Sequence, residues 1–209
     1  MNLESGFKLS MLAQKERTLV MIKPDGVQRS LVGEIISRFE RVGLKFIAMK
    51  MFIPTEKQIA EQYGPNKQEL EALGQRSIDN QAKLGVKIKE SSLEQGTKIF
   101  NALKKYLSSG PVVGIVLEGN QAVGIVRKLV GATEPLNSDV GTIRGDFTIE
   151  SYNIADTDGR AVRNLVHRSG SIEEAQREIK IWFGEKELLK YKLISESILY
   201  DVNLDGILE

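Results

Sequence analysis

Three apolar runs of strand length set the limits on how this 209-residue chain folds. Thr18-Leu19-Val20-Met21-Ile22, the stretch Leu44 to Ile53 and the stretch Val112 to Leu117 are rich in β-branched and large apolar residues. Each is bounded by turn chemistry: Lys23-Pro24-Asp25-Gly26, Pro54 and Ser109-Gly110-Pro111. Helical periodicity lies between them. Leu31, Ile35, Ile36, Phe39 and Val42 share one face of a helix predicted over 31–42, with Gly43 as its stop. Thr55 and Gln58 fit a capping box that opens a helix running to about Tyr63. A helix is predicted from about Thr97 to Leu107, and Asn120 is expected to cap another that ends at Gly131. Ala161 to Val166 alternates like a short strand. Ser171 with Glu174 then fits a second capping box, and Ile172, Ala175, Ile179 and Trp182 recur at helical spacing to about Phe183. This order of strands and helices implies an α/β or α+β sandwich.

The remaining stretches are polar. Residues 1–15 carry no pattern and are expected to form a flexible arm ahead of a domain over 16–209. Residues 64–96 are rich in Gln, Lys and Glu and punctuated by glycines, so they read as an inserted elaboration with helical pieces such as 67–73. Residues 151–159 read as a second insertion. The connection 132–146 is long and poor in apolar residues, and loops of that length inside a domain are usually either functional or disordered.

Composition removes several classes of chemistry. There is no cysteine, which excludes a disulfide framework and a thiolate zinc site. A single histidine excludes a multi-histidine metal site. The formal net charge of +1 and the absence of a basic stripe argue against specific nucleic-acid binding. Val112 to Leu117 is too short to span a bilayer, and the amino terminus lacks the pattern of a signal peptide, so a cytoplasmic location is expected.

Imidazole chemistry in this chain therefore rests on His167, placed just ahead of a helix amino terminus, where backbone N–H groups and a positive dipole end favour anions. Neither of the common glycine-rich phosphate loops occurs: GxxxxGK[ST] and GxGxxG are both absent. A nucleotide could still be held by side-chain cations. Lys23 ends the first apolar run, Arg127 lies on the helix before the long connection, and Arg144 lies within that connection. Phosphoryl transfer is catalysed mainly by positioning and charge stabilisation, which such a set supplies.

Arg17 to Gly33 (RTLVMIKPDGVQRSLVG), Ser109 to Val113 (SGPVV), Gly141 to Phe147 (GTIRGDF) and Asn164-Leu165-Val166-His167 resemble, in that order, the nucleoside diphosphate kinase family. The resemblance runs from Arg17 to about Phe183. It implies a ferredoxin-like α/β sandwich with a four-stranded antiparallel sheet covered by helices, and a homo-oligomer, usually a hexamer. It implies ping-pong transfer of the γ-phosphate of a nucleoside triphosphate to a nucleoside diphosphate, with His167 as the phosphorylated nucleophile. By the same similarity Lys23, Arg127, Thr133, Arg144 and Asn164 contact phosphates and ribose, and Tyr63 lines the site. Ser169 supports it, and Glu178 orients the imidazole. Mg²⁺ is expected to bind mainly through the nucleotide phosphates, with no dedicated protein ligands. An unperturbed histidine is mostly neutral at pH 7, and a carboxylate on one ring nitrogen leaves the other free to attack.

The chain departs from the family after the histidine. The usual Gly-Ser-Asp is here Arg168-Ser169-Gly170, which removes a carboxylate and adds a cation beside the nucleophile. The position of the family's base-stacking aromatic falls near Ile99 and Phe100, and stays unassigned between them. The alternative reading is a nucleotide-binding or scaffolding protein of the same fold with weakened catalysis.

Overall fold

The strand runs pair into a sheet whose two central strands are buried on both faces. In the computed structural model, which describes residues 15–83 and 85–200, strand β1 spans Glu16–Ile22, β2 Lys45–Phe52, β3 Val112–Gly119 and β4 Val166–Arg168. Their order is β2-β3-β1-β4, and every pairing is antiparallel. The two central strands read as continuous apolar runs for this reason. Val20, Ile22, Val113, Ile115 and Leu117 point to one face, while Leu19, Met21, Val112 and Val116 point to the other. The fold is the four-stranded antiparallel α/β sandwich that the resemblance implied.

Helices close both faces. After the short helix α1 (Pro24–Gln28), helix α2 (Val32–Glu40) buries Ile35 and Phe39 against the Val20 face. It ends earlier than its periodicity suggested. The Gly43 and Leu44 N–H groups fold back onto the carbonyls of Glu40 and Phe39, with Gly43 at φ +83°, so Val42 falls past the helix and is exposed. Helix α3 (Glu56–Tyr63) has the predicted Thr55–Gln58 box in full.

The segment read as polar elaboration is more ordered than 67–73 alone. Helix α4 runs Lys67–Lys83 and packs along α5 (Ser92–Leu107), which starts a turn earlier than Thr97 because Ser91 and Glu94 form a capping box. Gly74 and Gly96 are the contact between these helices, not punctuation. A Cβ on Gly74 would lie 1.8 Å from the Ser92 carbonyl oxygen, and one on Gly96 1.9 Å from that of Leu70.

Helix α6 (Ala122–Val130) is not capped by Asn120. Its N-cap is Gln121, whose backbone takes a left-handed conformation and uses no side-chain cap. The long connection holds a 3-10 turn at Pro135–Asn137 and helix α7 (Ile143–Phe147), which Thr142 caps through the Gly145 N–H. Helix α8 (Tyr152–Thr157) follows. Helix α9 (Ile172–Trp182) lies against the Leu19 face, and a short helix α10 (Glu196–Leu199) ends the described chain. The arm expected at 1–15 lies outside the described residues apart from Lys15, which is ion-paired with Glu196.

Candidate active site

The site forms where β4 meets the turn after β1, and one strained residue joins the two. Leu165 has φ +63°, rare for a residue with a Cβ. It centres a three-residue turn closed by the Val166 N–H on the Asn164 carbonyl at 2.7 Å. Both of its backbone groups are held by the Lys23-Pro24-Asp25-Gly26 turn. The Leu165 N–H donates to the Asp25 carboxylate at 3.1 Å, and its carbonyl accepts from the Lys23 N–H at 2.7 Å. Asp25 also accepts from the Tyr106 hydroxyl. The sequence showed Asp25 only as turn chemistry. Its carboxylate secures the strain that turns Asn164 and His167 toward the same space.

His167 sits in β4 opposite Met21, not beyond a strand over 161–166 as the alternation suggested. The turn at Leu165 interrupts that alternation. Because His167 shares the Met21 face, its ring lies against α9. There Ala175, Glu178, Ile179 and Trp182, spaced three, four and seven apart, form the buried stripe. Glu178 is thus carried under the ring, and its carboxylate oxygens lie 3.0 and 3.1 Å from Nε2. The Ser169 hydroxyl donates to the same carboxylate at 2.6 Å. Burial penalises the Glu178 carboxylate, but the hydrogen bond and charge of His167 and the Ser169 hydrogen bond outweigh it, leaving its pKa below the usual range. Glu174, the nearer competitor in sequence, accepts from the Gly170 N–H at 2.7 Å and so belongs to the helix cap. The Tyr63 ring stands edge-on to the imidazole, with centroids 5.2 Å apart. Burial, then the Glu178 charge, holds its phenol well above the usual value.

Cations fill the opposite wall. Lys23 is buried, and its Nζ donates to the Asn164 side-chain oxygen at 2.6 Å. Burial, with Arg144 adding repulsion, lowers its pKa to about 7 despite the opposing pull of Asp25. The Asn164 amide donates to the Thr133 carbonyl at 2.8 Å, which ties the long connection to β4. Arg144 is 3 % exposed and is ion-paired with no carboxylate among the described residues. Its guanidinium donates to the carbonyls of Asn164, Gly131, Ala132 and Val166, using four of five N–H donors. Burial and the nearby Arg168 lower its pKa to about 10.

A cavity of about 630 Å³ is bounded by Lys23, Tyr63, Thr133, Arg144, Asn164, His167 and Arg168 together. Of the residues singled out in the sequence, Ser169 and Glu178 lie behind the ring. Arg127 is exposed beside the cavity, close enough to repel Arg168. Ile99 and Phe100 both line the cavity, as do Arg76, Ser77 and Asn80 of α4. The α4 residues lie in the stretch read as elaboration, where no local pattern marked them. A larger cleft, about 1790 Å³, lies between residues 24–29, 81–109 and 145–163; Ile99 also borders it, but His167, Lys23, Tyr63, Arg127, Thr133, Arg144 and Asn164 do not.

The family model for nucleoside diphosphate kinase matches residues 16–72 and 91–188, a span that contains every candidate residue. The chain belongs to the nucleoside diphosphate kinase family. It is 48% identical over 183 residues to a nucleoside diphosphate kinase of Pyrobaculum aerophilum, covering 84% of this chain and 98% of the relative. It is 38% identical over 190 residues to nucleoside diphosphate kinase A of Canis lupus familiaris, covering 91% and 100%. Among solved structures, an NDP kinase from Pyrobaculum aerophilum superposes with a TM-score of 0.80 at 46% identity, over 84% of this chain and 100% of that one. A nucleoside-diphosphate kinase from Borrelia burgdorferi, described as a transition-state mimic with bound vanadate and ADP, superposes with a TM-score of 0.73 at 37% identity. Those figures cover 90% of this chain and 98% of that one. This nucleoside diphosphate kinase family member is a phosphotransferase, and the scaffolding alternative is not favoured. No helix among the described residues is long and apolar enough to cross a membrane.

Proposed function

We propose that this chain transfers the γ-phosphate of a nucleoside triphosphate to a nucleoside diphosphate through a phosphohistidine at His167. One observation carries the residue assignment. Nε2 of His167 is occupied by Glu178, which leaves Nδ1 as the attacking nitrogen on a ring that borders a cavity shared with Lys23 and Arg144. Nδ1 attacks the γ-phosphorus, the bond to the β-phosphate oxygen breaks, and the diphosphate leaves. A terminal oxygen of the second diphosphate then attacks the phosphoimidazole, the P–N bond breaks, and the new triphosphate leaves with the ring restored. Glu178 holds the Nε2 proton and balances the charge that develops on the ring. Lys23, Arg127 and Arg144 stabilise the departing negative charge, Asn164 and Thr133 contact phosphate and ribose, and Tyr63 steadies the imidazole edge-on.

The described residues hold no group of three or more His, Cys, Asp or Glu side chains able to take a metal ion. Mg²⁺ would arrive on the nucleotide phosphates and would neutralise charge on the transferring group there. The polar stretches 64–96 and 151–159 are read as elaborations on a kinase domain over 16–209. Met49 and Met51 on the edge strand β2, with Ile53 beyond it, are 57 to 64% exposed and support self-association, with a hexamer as the expected assembly. A cytoplasmic location completes the reading.

The test is to incubate the protein with labelled ATP and Mg²⁺ and look for an acid-labile, alkali-stable phosphoprotein. Wild type should label and pass the phosphoryl group to added nucleoside diphosphate. His167→Ala and His167→Gln should do neither while keeping the wild-type melting temperature. Transfer that survives in these variants would overturn the assignment. Sedimentation of the intact chain reads the assembly.

A further inference from the structure

Arg168 follows the nucleophile on an edge strand. It pairs with Val20 and so issues from the sheet face that His167 does not use. On a central strand the two side chains would be separated by the sheet. On an edge strand a long side chain reaches around the border, and Arg168 lines the same cavity as His167. It is only partly satisfied there. Its Nη1 donates to the neighbouring Ser169 carbonyl at a long 3.3 Å, and its Nε is buried without a partner among the described residues. No carboxylate lies within ion-pair distance of it among those residues, although Glu174 exerts a weak pull. Arg127 repels it from one side, and it in turn repels Arg144. Arg144 and Arg168 line one cavity, and Arg168, unlike Arg144, has most of its donors unspent, so its charge is the one left for an anion there.

We propose that Arg168 is a phosphate-binding residue that grips the terminal phosphate of the bound nucleotide next to the His167 ring. It supplies from the protein part of the charge that a divalent cation otherwise brings. The proposal rests on the reading of this cavity as the nucleotide site. Gly170 suits the same arrangement: Glu174 takes its N–H, and a Cβ there would lie 2.7 Å from the Glu174 carboxylate. Position 170 therefore presents no carboxylate to the phosphates.

The experiment is calorimetric titration of ADP and AMP into wild type, Arg168→Met and Arg168→Lys, with EDTA and with Mg²⁺, alongside His167 labelling of the same preparations. Met keeps the aliphatic stem and loses the charge. In EDTA it should weaken ADP binding about tenfold or more, in Mg²⁺ by no more than about threefold, with AMP binding unchanged. Lys should fall between Met and wild type, because it keeps the charge but loses the fork. The Met variant should melt no lower than wild type, since it relieves repulsion. ADP affinity in EDTA that is the same within twofold for Met and wild type, with wild type still labelled at His167, would overturn the proposal. If the Met variant does not fold, the Lys variant decides it by the same comparison. Failure of wild type to bind ADP or to label would bring down the kinase reading instead.

Discussion

Replacing Glu178 by Gln keeps the side chain's size and its contact with the ring but removes the charge. The carboxylate is 3 % exposed and lies 3.0 Å from Nε2, so water screens it little. Full charges about 4 Å apart at an effective dielectric of about 20 attract by about 4 kcal/mol. The ring carries only part of a charge at the transition state, so about half of that is at stake. Exchanging a charge-assisted hydrogen bond for a neutral one costs about 1 kcal/mol, which overlaps with the same term. A loss of about 1.5–3 kcal/mol is a fall of roughly 10- to 100-fold in rate. The assay is rapid-quench measurement of His167 phosphorylation by ATP in a single turnover, with ADP affinity measured on the same protein. Glu178 lies behind the ring and not on the cavity wall, so the ADP affinity should stay within about twofold. A phosphorylation rate within twofold of wild type would refute the argument that this carboxylate balances charge on the imidazole. So would a loss confined to ADP binding.

The buried cation and the helix contact each lead to measurable outcomes. With its folded pKa near 7, Lys23 releases its proton on folding between about pH 7 and 10.5, where the unfolded chain still holds it. Stability should therefore rise with pH across that window, by up to about 1.4 kcal/mol per pH unit, relative to Lys23→Met. Denaturant melts of both proteins at pH 6 to 9 read this, and parallel curves would count against it. Binding of ADP at pH 8 should also take up a proton, seen as a dependence of the calorimetric heat on buffer. Gly74→Ala would press a Cβ against the Ser92 carbonyl and should lower the melting temperature by roughly 4–10 °C, from about 2–3 kcal/mol of overpacking. Gly124→Ala, in α6 with nothing within 4 Å of the new Cβ, should raise it slightly. A fall in both would mean that helix packing is not the cause.

Much of the fold was legible because its signals are local. The strand runs, the Thr55–Gln58 box and the 172–182 stripe depend on neighbours within a turn or two. The elements that differ from their local pattern are those whose boundaries depend on distant partners. Leu165 turns because Asp25 holds it, and that turn ends the alternation seen over 161–166. Asn120 looks like a cap, but the Gln121 backbone takes the position. Gly74 and Gly96 look like breaks until the two helices are laid side by side.

From the amino-acid order alone came the strands and main helices, the single imidazole, the family resemblance and the residues expected around a nucleotide. Tertiary structure decided which ring nitrogen is free, how far Lys23 is buried, and that α4 and Arg168 border the cavity. The reason is distance along the chain. Lys23 and Asn164 are 141 positions apart, and only antiparallel pairing of β1 with β4 brings them to 2.6 Å. A charge's pKa and partners are set by what packs around it, and that is not written in its neighbours in sequence.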